Sequence, residues 1–383
     1  MILFKCKNSI LLFLILSLLL ILMKIKVNFI YKEIEKYIKF NLEGNLIHSS
    51  SEFYKRDNPE ISIVISTFNG EVYIKPAVRS IQNQNFLNVE IIIVDDASMD
   101  NTIHVVKELM EEDRRIKLLS NSINRGTLFT KTKGVLNAKG QYVMTLDQDN
   151  LYSTKYVFSR LLEEAKKCNL DLLGFSTIKT GTKIKNIDKS DFLNYIGTGV
   201  IKKPNIKKRF LGFNNRLSSG TYLCLYFIKT ELFLQTIKQI GDEFINRNID
   251  AHDDTIIMFI LSRKVQTLKH LKEIFYILLI WPENYAESLK FQRSVKQSER
   301  ERKNCYSYLT FSEVLFKFTD NNDKFIAEKC FLWWFIREEK CKNNSYIKND
   351  AIKICNLYLS NKYISSNAKK EISLYLNITL KQK

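Results

Sequence analysis

Two carboxylates stand two residues apart at Asp147 and Asp149, directly after the apolar run Tyr142–Leu146. When a chain leaves a strand, residues i and i+2 project to the same side. Paired carboxylates are good oxygen ligands for Mg²⁺ or Mn²⁺, ions that keep coordination positions for waters and substrate phosphates. An Asp-x-Asp sequence at a strand end is also ordinary turn chemistry. The pair therefore predicts a divalent-cation site, provided that the fold places other functional groups beside it.

Polar side chains also follow two earlier apolar runs. Ser66–Asn69 lies at the end of the first run, Ile61–Ser66. Asp95 and Asp96 follow the second run, Glu90–Val94. The two aspartates could hydrogen-bond a base or a ribose, and Phe68 could stack on a base. Each also has a structural alternative, because aspartates are favoured in turns and helix caps, and a lone aromatic residue after a strand usually packs. Taken singly, these residues favour the structural alternative.

The apolar pattern around these clusters alternates between strands and helices. Short β-branched runs predict four strands, and segments with helical apolar spacing lie between them. We expect strands at Ile61–Ser66, Glu90–Val94, Ile116–Leu119 and Tyr142–Leu146, and helices at Val72–Gln84, Asn101–Glu112 and Thr127–Ala138. This alternation predicts a doubly wound α/β fold with a mostly parallel sheet. Ligands of such sheets bind at the carboxyl ends of the strands, where all three polar clusters lie.

Motifs and charge exclude several other classes of protein. The first turn, Thr67–Gly70, contains no G-x-G-x-x-G, and the sequence has no G-x-x-x-x-G-K-[ST] phosphate loop. The formal charge is +18, from 59 basic and 41 acidic residues, and the basic residues are spread along the chain without an arginine-rich block. This distribution favours a solvated, mildly anion-attracting surface and argues against a nucleic-acid partner.

The order and spacing of the polar clusters resemble a known family. The segments ISIVISTFNGEVYIKPAVRSIQNQ, EIIIVDDASMDNT and NRGTLFTKTKGVLNAKGQYVMTLDQDN look like the N-terminal half of family-2 glycosyltransferases. The resemblance continues more faintly in IGDEF and HDDTIIMFILSRK. It implies a GT-A fold and inverting, metal-assisted transfer from a nucleotide-sugar donor, with a UDP-sugar preferred. The acceptor would be a glycan, a lipid-linked hydroxyl or a protein hydroxyl.

The resemblance also assigns donor contacts by position. Ser66, Phe68 and Asp96 would contact the base of the donor, and Asn69 and Asp95 belong to the same clusters. Ser66 and Phe68 stand where the family more often has Pro and Tyr, so the donor contacts depart from the usual pattern.

The metal and phosphate contacts carry over in the same way. Asp147 and Asp149 would hold Mn²⁺ or Mg²⁺, with Asp149 as the preferred direct ligand. Lys131 with Thr132 occupies a place where Arg-Asn is common. A phosphate contact at Lys131 would therefore be made by a point charge and not by a guanidinium fork.

The acidic pair Asp253-Asp254 supplies the candidate general base. By position in the family, Asp254 would take the proton of the acceptor hydroxyl, and Asp253 replaces a more usual Glu. Acids in the first turn of a helix are also favoured by the helix dipole and by capping, and Asp253 is the alternative base. Trp281 with Tyr285 could stack on a sugar ring or pack in the core.

We expect five segments along the chain: a membrane anchor at residues 1–23, a stem at 24–59, a donor half at 60–150, an acceptor half at 151–290 and a helical extension at 291–383. Ser9–Met23 is uncharged and rich in Leu and Ile, which predicts an anchor or a secretory signal. No small-residue cleavage site follows, so an uncleaved single-pass anchor is favoured, of Golgi or ER type II if the protein is eukaryotic. Lysines flank both ends and leave the orientation open.

Seven cysteines are present, and none forms a C-x-x-C pair. No histidine lies near the last four, which argues against a zinc site. Those four, Cys305, Cys330, Cys341 and Cys355, could form one or two disulfides in an oxidising compartment.

Two other functions remain open from the sequence. A nucleotidyltransferase of related fold has similar metal and nucleotide needs, and an inactive membrane-anchored relative could bind glycans. The acidic pair in a long segment after the metal motif favours sugar transfer. The complete set of Asp147, Asp149 and Asp254 argues against a relative that has lost activity.

Overall fold

The computed structural model describes residues 28–49, 58–181, 199–203, 222–281, 297–321, 324–336 and 347–381, together with Leu22, Ile25, Lys26, Ile206 and Cys341. Within these residues, no helix combines the length and the apolar character that crossing a membrane requires. The expected anchor at Ser9–Met23 lies outside the described residues, apart from Leu22.

Nine strands of the described chain form one sheet. They are β1 (Ile61–Thr67), β2 (Val89–Asp95), β3 (Ile116–Ser120), β4 (Tyr142–Asp147), β5 (Leu151–Tyr152), β6 (Leu172–Gly181), β7 (Ile201–Lys202), β8 (Tyr226–Lys229) and β9 (Thr267–Ile280). Their order in the sheet is β3-β2-β1-β4-β8-β6-β9-β5, and β7 pairs with β9. The four strands expected from the sequence are β1 to β4, each within one residue of its expected ends.

The helices that cover the sheet begin with α1, residues 28–42. The next ones are α2 (Ile74–Gln82), α3 (Thr102–Glu112), α4 (Thr127–Leu136), α5 (Val157–Cys168), α6 (Thr230–Ile240), α7 (Asp242–Ile245) and α8 (Asp253–Lys264). The C-terminal extension supplies α9 (Gln297–Phe318), α10 (Lys324–Phe331), α11 (Lys348–Ser360) and α12 (Ser366–Lys381). The strand–helix alternation predicted for the first half of the domain is confirmed.

The first half of the sheet is parallel, and the second half is mixed. β1 pairs in parallel with β2 and β4, and β2 pairs in parallel with β3. β8 then lies antiparallel between β4 and β6, and β9 is parallel to β6 but antiparallel to β5 and β7. The expectation of a mostly parallel sheet is therefore wrong for the second half. It rested on the strand–helix alternation of β1 to β4. After β4 this alternation is interrupted, since β5 follows β4 with no helix between them.

The strand register brings the three polar clusters together. Thr67 at the end of β1 pairs with Asp95 at the end of β2, and Ser66 pairs with Asp147 at the end of β4. Since these strands are parallel and adjacent, the loops that follow them leave the same edge of the sheet. The predicted ligand edge is thus formed by β1, β2 and β4.

Both faces of the central sheet are covered. Ile91, Ile92, Ile93 and Val94 of β2 are consecutive, so they point to opposite faces, and all four are fully buried. This is the continuous apolar run that a strand buried on both faces requires. The same pattern made β2 predictable from the sequence.

The first half of the expected stem is a helix docked on the sheet domain. Ile34 and Ile38 of α1 are buried in a small apolar cluster that contains Leu151 of β5. Asn83, which caps α2, donates a side-chain hydrogen bond to the Asn41 side chain at 2.8 Å. Residues 28–49 therefore pack as part of the domain, whereas residues 50–57 lie outside the described chain.

The C-terminal helices belong to the main apolar core. Phe331 of α10 stacks on Tyr358 of α11, with ring centroids 4.3 Å apart. A disulfide joins Cys305 of α9 to Cys341, whose Cα atoms are 5.5 Å apart. The segment boundaries expected from the sequence stay a prediction, since one sheet and one main core contain residues from both expected halves and from the extension.

Gly140, just before β4, gives a stability prediction. A Cβ atom at this position would lie 2.6 Å from the backbone nitrogen of Ser62, and backbone cannot move aside as a flexible side chain can. Gly140→Ala is therefore expected to destabilise the fold by about 1–3 kcal/mol, the usual effect of overpacking. Urea unfolding followed by circular dichroism measures the change. The control is Gly199→Ala, where a Cβ meets no atom of the described residues within 4 Å. Equal midpoints for both variants would contradict the predicted close approach.

Candidate active site

A cleft of about 340 Å³ opens at the carboxyl edge of β1, β2 and β4. The predicted site residues that line it are Ser66, Phe68, Asp96, Lys131, Asp147 and Asp149. Thr67, Asn124, Thr127, Thr130, Gln148 and Asp250 complete the described lining. Asn69 and Asp95 are not among these lining residues. Asp253 and Asp254 are not among them either, but they contact the cleft through Lys131.

Asp147 is positioned by a buried tyrosine. The hydroxyl of Tyr276, on β9, donates to Asp147 Oδ2 at 3.0 Å and accepts the Asp147 backbone N–H at 3.2 Å. Tyr276 is fully buried, so the contact fixes the end of β4 against β9. One third of the Asp147 side chain remains exposed to the cleft, at 34 %.

Asp149 is positioned by a tryptophan. Trp281 Nε1 donates to the backbone carbonyl of Asp149 at 2.7 Å, and the Trp281 ring packs edge-on against Tyr73 at 4.8 Å between centroids. Of the two roles considered for Trp281, sugar stacking and packing, the structure shows packing together with a backbone hydrogen bond. Tyr285 lies outside the described residues.

Gln148, between the two acids, ties β4 to β1. Its Oε1 accepts hydrogen bonds from the Thr67 hydroxyl at 2.5 Å and the Phe68 backbone N–H at 3.1 Å, and its Nε2 donates to the Phe68 carbonyl at 3.2 Å. These three bonds fix the loop after β1 relative to the acidic pair. Asp147 and Asp149 therefore stand on a loop held from both sides.

The two acids form a centre of negative charge. Burial, and then the charge of Asp147, raise the pKa of Asp149 to about 6. A divalent cation would offset this repulsion. Within the described residues, no group of three or more His, Cys, Asp or Glu side chains could hold a metal ion by itself. Mg²⁺ is commonly held by one or two carboxylates and substrate phosphates, so Asp147 and Asp149 fit a cation that binds together with a diphosphate.

Asp96 organises the loop before α4. Its Oδ1 accepts hydrogen bonds from the Asn121 side chain at 2.7 Å and the Arg125 backbone N–H at 2.8 Å, and its Oδ2 accepts the Gly126 N–H at 2.9 Å. It is 4 % exposed. The carboxylate thus shapes the cleft wall, and its contact with a base stays a prediction.

Asn69 and Asp95 make contacts within the neighbouring loops. Asn69, with φ of 48°, accepts the Met99 N–H on its side-chain oxygen at 2.9 Å and donates its own N–H to the Ser98 hydroxyl at 2.9 Å. Asp95 Oδ2 accepts the Ser98 N–H at 3.2 Å. These bonds join the loops after β1 and β2. The structural alternative considered for Asp95 is therefore present, and the donor contacts of Asn69 and Asp95 stay predictions.

Lys131 is the centre of an acidic cluster. It lies on α4, is 6 % exposed, and places its Nζ 2.7 Å from Asp254 Oδ1, 2.8 Å from Asp253 Oδ2 and 3.8 Å from Asp147 Oδ1. Burial acts against its charge, but the three carboxylates raise the pKa of Lys131 well above its ordinary value. The ammonium stays protonated and connects Asp147 to the acidic pair of α8.

The two acids of α8 differ in their surroundings. Burial, and then the charges of Asp253 and Asp147, raise the pKa of Asp254 to about 7 although Lys131 opposes the shift. Burial acts to raise the pKa of Asp253 too, but Lys131 outweighs it and the pKa is lowered. The Asp254 side chain is 20 % exposed and that of Asp253 is 9 % exposed. Asp254 is therefore the more accessible acid and the better proton acceptor near neutral pH.

The sequence did not indicate three residues that shape this site. Tyr276 acts from β9, and Asn124 and Asp250 line the cleft from loops. Asp250 precedes the acidic pair by only three residues, and that proximity was the available signal for it. Tyr276 lies more than a hundred residues from Asp147, so no local pattern could have found it.

The fold of the described chain is similar to the folds of solved structures. The first 349 residues of TarS from S. aureus, crystallised with UDP-GlcNAc, superpose with a TM-score of 0.56 and 14 % identity over 84 % of this chain and 90 % of that one. The ligand-free structure of the same fragment gives a TM-score of 0.54. The described chain thus has a GT-A-like α/β fold.

The sequence comparisons find similarity to one family. Residues 62–227 match the model of "Glycosyl transferase family 2". A GalNAc(5)-diNAcBac-PP-undecaprenol beta-1,3-glucosyltransferase of Campylobacter jejuni is 27 % identical over 276 residues, which are 69 % of this chain and 84 % of the relative. An uncharacterised glycosyltransferase of Haemophilus influenzae is 26 % identical over 58 % of this chain and 94 % of its own length. Residues 62–227 thus match glycosyltransferase family 2, as the resemblance predicted, and both relatives are named as glycosyltransferases.

Proposed function

We propose that this chain transfers a sugar, with inversion, from a nucleotide-sugar donor to a hydroxyl of a glycan, lipid-linked or protein acceptor, assisted by Mn²⁺ or Mg²⁺. A UDP-sugar is the proposed donor, in line with the ligand named for the TarS structure. The observation that carries the proposal is one cleft that contains Asp147, Asp149 and Lys131, with Asp254 bonded to Lys131 behind them.

The donor would lie along the edge of β1, β2 and β4. Ser66, Phe68 and Asp96 line one part of the cleft and are the proposed contacts for the base. Asp147 and Asp149 line another part and would hold the cation. When bound, the cation supplies charge neutralisation for the departing diphosphate.

Asp254 is the proposed general base. In a single displacement, the acceptor oxygen forms a bond to the anomeric carbon while the bond from that carbon to the diphosphate oxygen breaks. The bonding electrons leave with the nucleoside diphosphate, and Asp254 takes the proton of the acceptor hydroxyl. Asp254 Oδ2 accepts only the Leu223 N–H, at 3.2 Å, among its described hydrogen bonds. A carboxylate oxygen can accept two, so this oxygen retains capacity for the hydroxyl.

A donor screen tests the proposal. The full chain is incubated with a panel of UDP- and GDP-sugars in Mn²⁺, and release of the nucleoside diphosphate is measured. We expect release from UDP-sugars that stops when the metal is chelated. The name of the Campylobacter jejuni relative includes a polyprenyl diphosphate, so a lipid-linked acceptor is the first acceptor to add. Absence of release from every donor, with and without acceptors, would contradict the proposal.

We also propose that residues 9–23 hold the chain in a membrane. The segment is uncharged and apolar, and α1 follows it closely in the sequence and packs on the sheet domain. The full chain should stay in the membrane fraction after alkaline carbonate washing, because burial of apolar side chains in lipid does not depend on charge. A chain that begins at residue 28 should be released. Recovery of the full chain in the supernatant would exclude the anchor.

A further inference from the structure

We propose that Lys131 is a positioning residue for the base Asp254 and does not contact the donor diphosphate. The proposal rests on the proposed function and deepens it. The family resemblance suggested a phosphate contact at this position. The ion pairs of Lys131 instead connect it to the other end of the reaction, where the acceptor loses its proton.

The contacts of Lys131 form the basis of this assignment. Its ammonium lies within 2.8 Å of one oxygen of each acid of α8, and 3.8 Å from Asp147. Asp253 and Asp254 are neighbours in sequence, so without a cation between them their charges would repel. Lys131 thus keeps two adjacent carboxylates in one fixed arrangement and orients Asp254 Oδ1.

The backbone around Lys131 makes this arrangement rigid. Gly134, one helical turn along α4, packs so closely on the sheet that a Cβ atom would lie 2.3 Å from Val64 Cγ1. At the start of α4, the Thr127 hydroxyl donates to the Ile249 carbonyl at 3.1 Å, four residues before Asp253. The helix that carries the ammonium is therefore fixed to the sheet and to the segment that leads into α8.

If the Lys131 ammonium moved to a diphosphate, the negative charges of Asp253 and Asp254 would lose their partner. Breaking a buried ion pair by removing one partner is strongly unfavourable, because the remaining charge is uncompensated. Here two carboxylates would lose their partner at once, one of them only 9 % exposed. The cation that the proposed function places at Asp147 and Asp149 can neutralise the diphosphate without this loss.

Lys131→Gln tests the assignment, because a positioning residue affects turnover whereas a phosphate contact affects donor binding. Turnover should fall by about 10²-fold, which is the effect expected of misplacing a catalytic group by roughly 1 Å. The affinity for UDP in Mn²⁺, measured by calorimetry, should change little. Lys131→Arg keeps the charge and should recover part of the turnover. Loss of UDP affinity with unchanged turnover would overturn the assignment and favour a phosphate contact.

A double-mutant cycle separates positioning from a general structural effect. If Lys131 acts through Asp254, Lys131→Gln should cause no further loss of turnover in an Asp254→Asn background. Additive losses would overturn the proposal. If Lys131→Gln does not fold, the double variant Lys131→Gln/Asp253→Asn, which removes one charge of each sign, is compared with Asp253→Asn alone. A wild-type chain without transfer activity would instead contradict the proposed function, so the two failures can be told apart.

Discussion

Asp254→Asn is expected to lower turnover by about 10²–10⁴-fold, the usual contribution of a positioned base, with donor affinity nearly unchanged. Asparagine has the same shape, and its one oxygen can accept from Lys131 or from the Leu223 N–H, but it cannot take up a proton. The Asp254 side chain is also 20 % exposed, so an acceptor hydroxyl can reach it. Steady-state kinetics at saturating donor measures turnover, and UDP titration by calorimetry measures affinity.

Asp253→Asn is the matched comparison for this prediction. Asp253 contacts the same Lys131 nitrogen but is more deeply buried, so its replacement should reduce turnover less. Asp320→Asn is the control, because Asp320 is 66 % exposed and pairs with Arg263 at the surface. If Asp253→Asn is inactive while Asp254→Asn turns over normally, the base is Asp253. Full rates in both variants would contradict an inverting mechanism with a base in this pair.

Asp149→Asn is expected to abolish most metal-dependent UDP binding while the fold survives. Loss of a hydrogen-bond partner of a metal ligand typically weakens metal affinity by about 10–100-fold, and loss of the ligand itself should have at least that effect. The loop should keep its place, because Trp281 bonds the backbone carbonyl of Asp149 and not its side chain. Calorimetry of UDP binding with and without Mn²⁺ measures the change.

Two control measurements accompany this experiment. Asp320→Asn should bind UDP as the wild type does in Mn²⁺, since it lies at the surface. Without Mn²⁺, wild type and Asp149→Asn should bind UDP equally weakly, because only the cation contribution differs between them. Equal affinity in the presence of Mn²⁺ would show that Asp149 serves only as turn structure.

The first half of the fold followed from local patterns. β1, β2 and β4 are short, apolar and buried on both faces, and each ends at a polar cluster, so their positions and the ligand edge could be derived. The position of Asp147 and Asp149 in the cleft could be derived for the same reason, since it depends only on the end of one strand. Local sequence is sufficient where one element fixes the position of a side chain.

The second half depends on pairings between distant segments. β8 contains only four residues and is antiparallel to β4 and β6, and nothing in its own sequence specifies that direction. The docking of α1 likewise depends on an Asn41–Asn83 hydrogen bond and on buried contacts to β5 and β9. The sequence of the expected stem did not identify the surface that α1 covers.

Lys131 shows how tertiary contacts limit functional assignment. Its position matched a family place associated with phosphate, but its partners on α8 lie more than a hundred residues along the chain. Gln148 gives a second example, since its place between the two acids did not indicate that it would bond Phe68. A sequence can place such residues on an element, whereas their partners follow only from how the elements pack.

Direct displacement by a hydroxyl that loses its proton to Asp254 requires the anomeric carbon to invert. The most direct measurement is the anomeric configuration of the transferred sugar, read from the coupling constant of its anomeric proton in the NMR spectrum of the product. The donor found in the screen, an α-linked UDP-sugar for example, should give a product of the opposite configuration. A product that retains the configuration of the donor would contradict single displacement and the role of Asp254 as base.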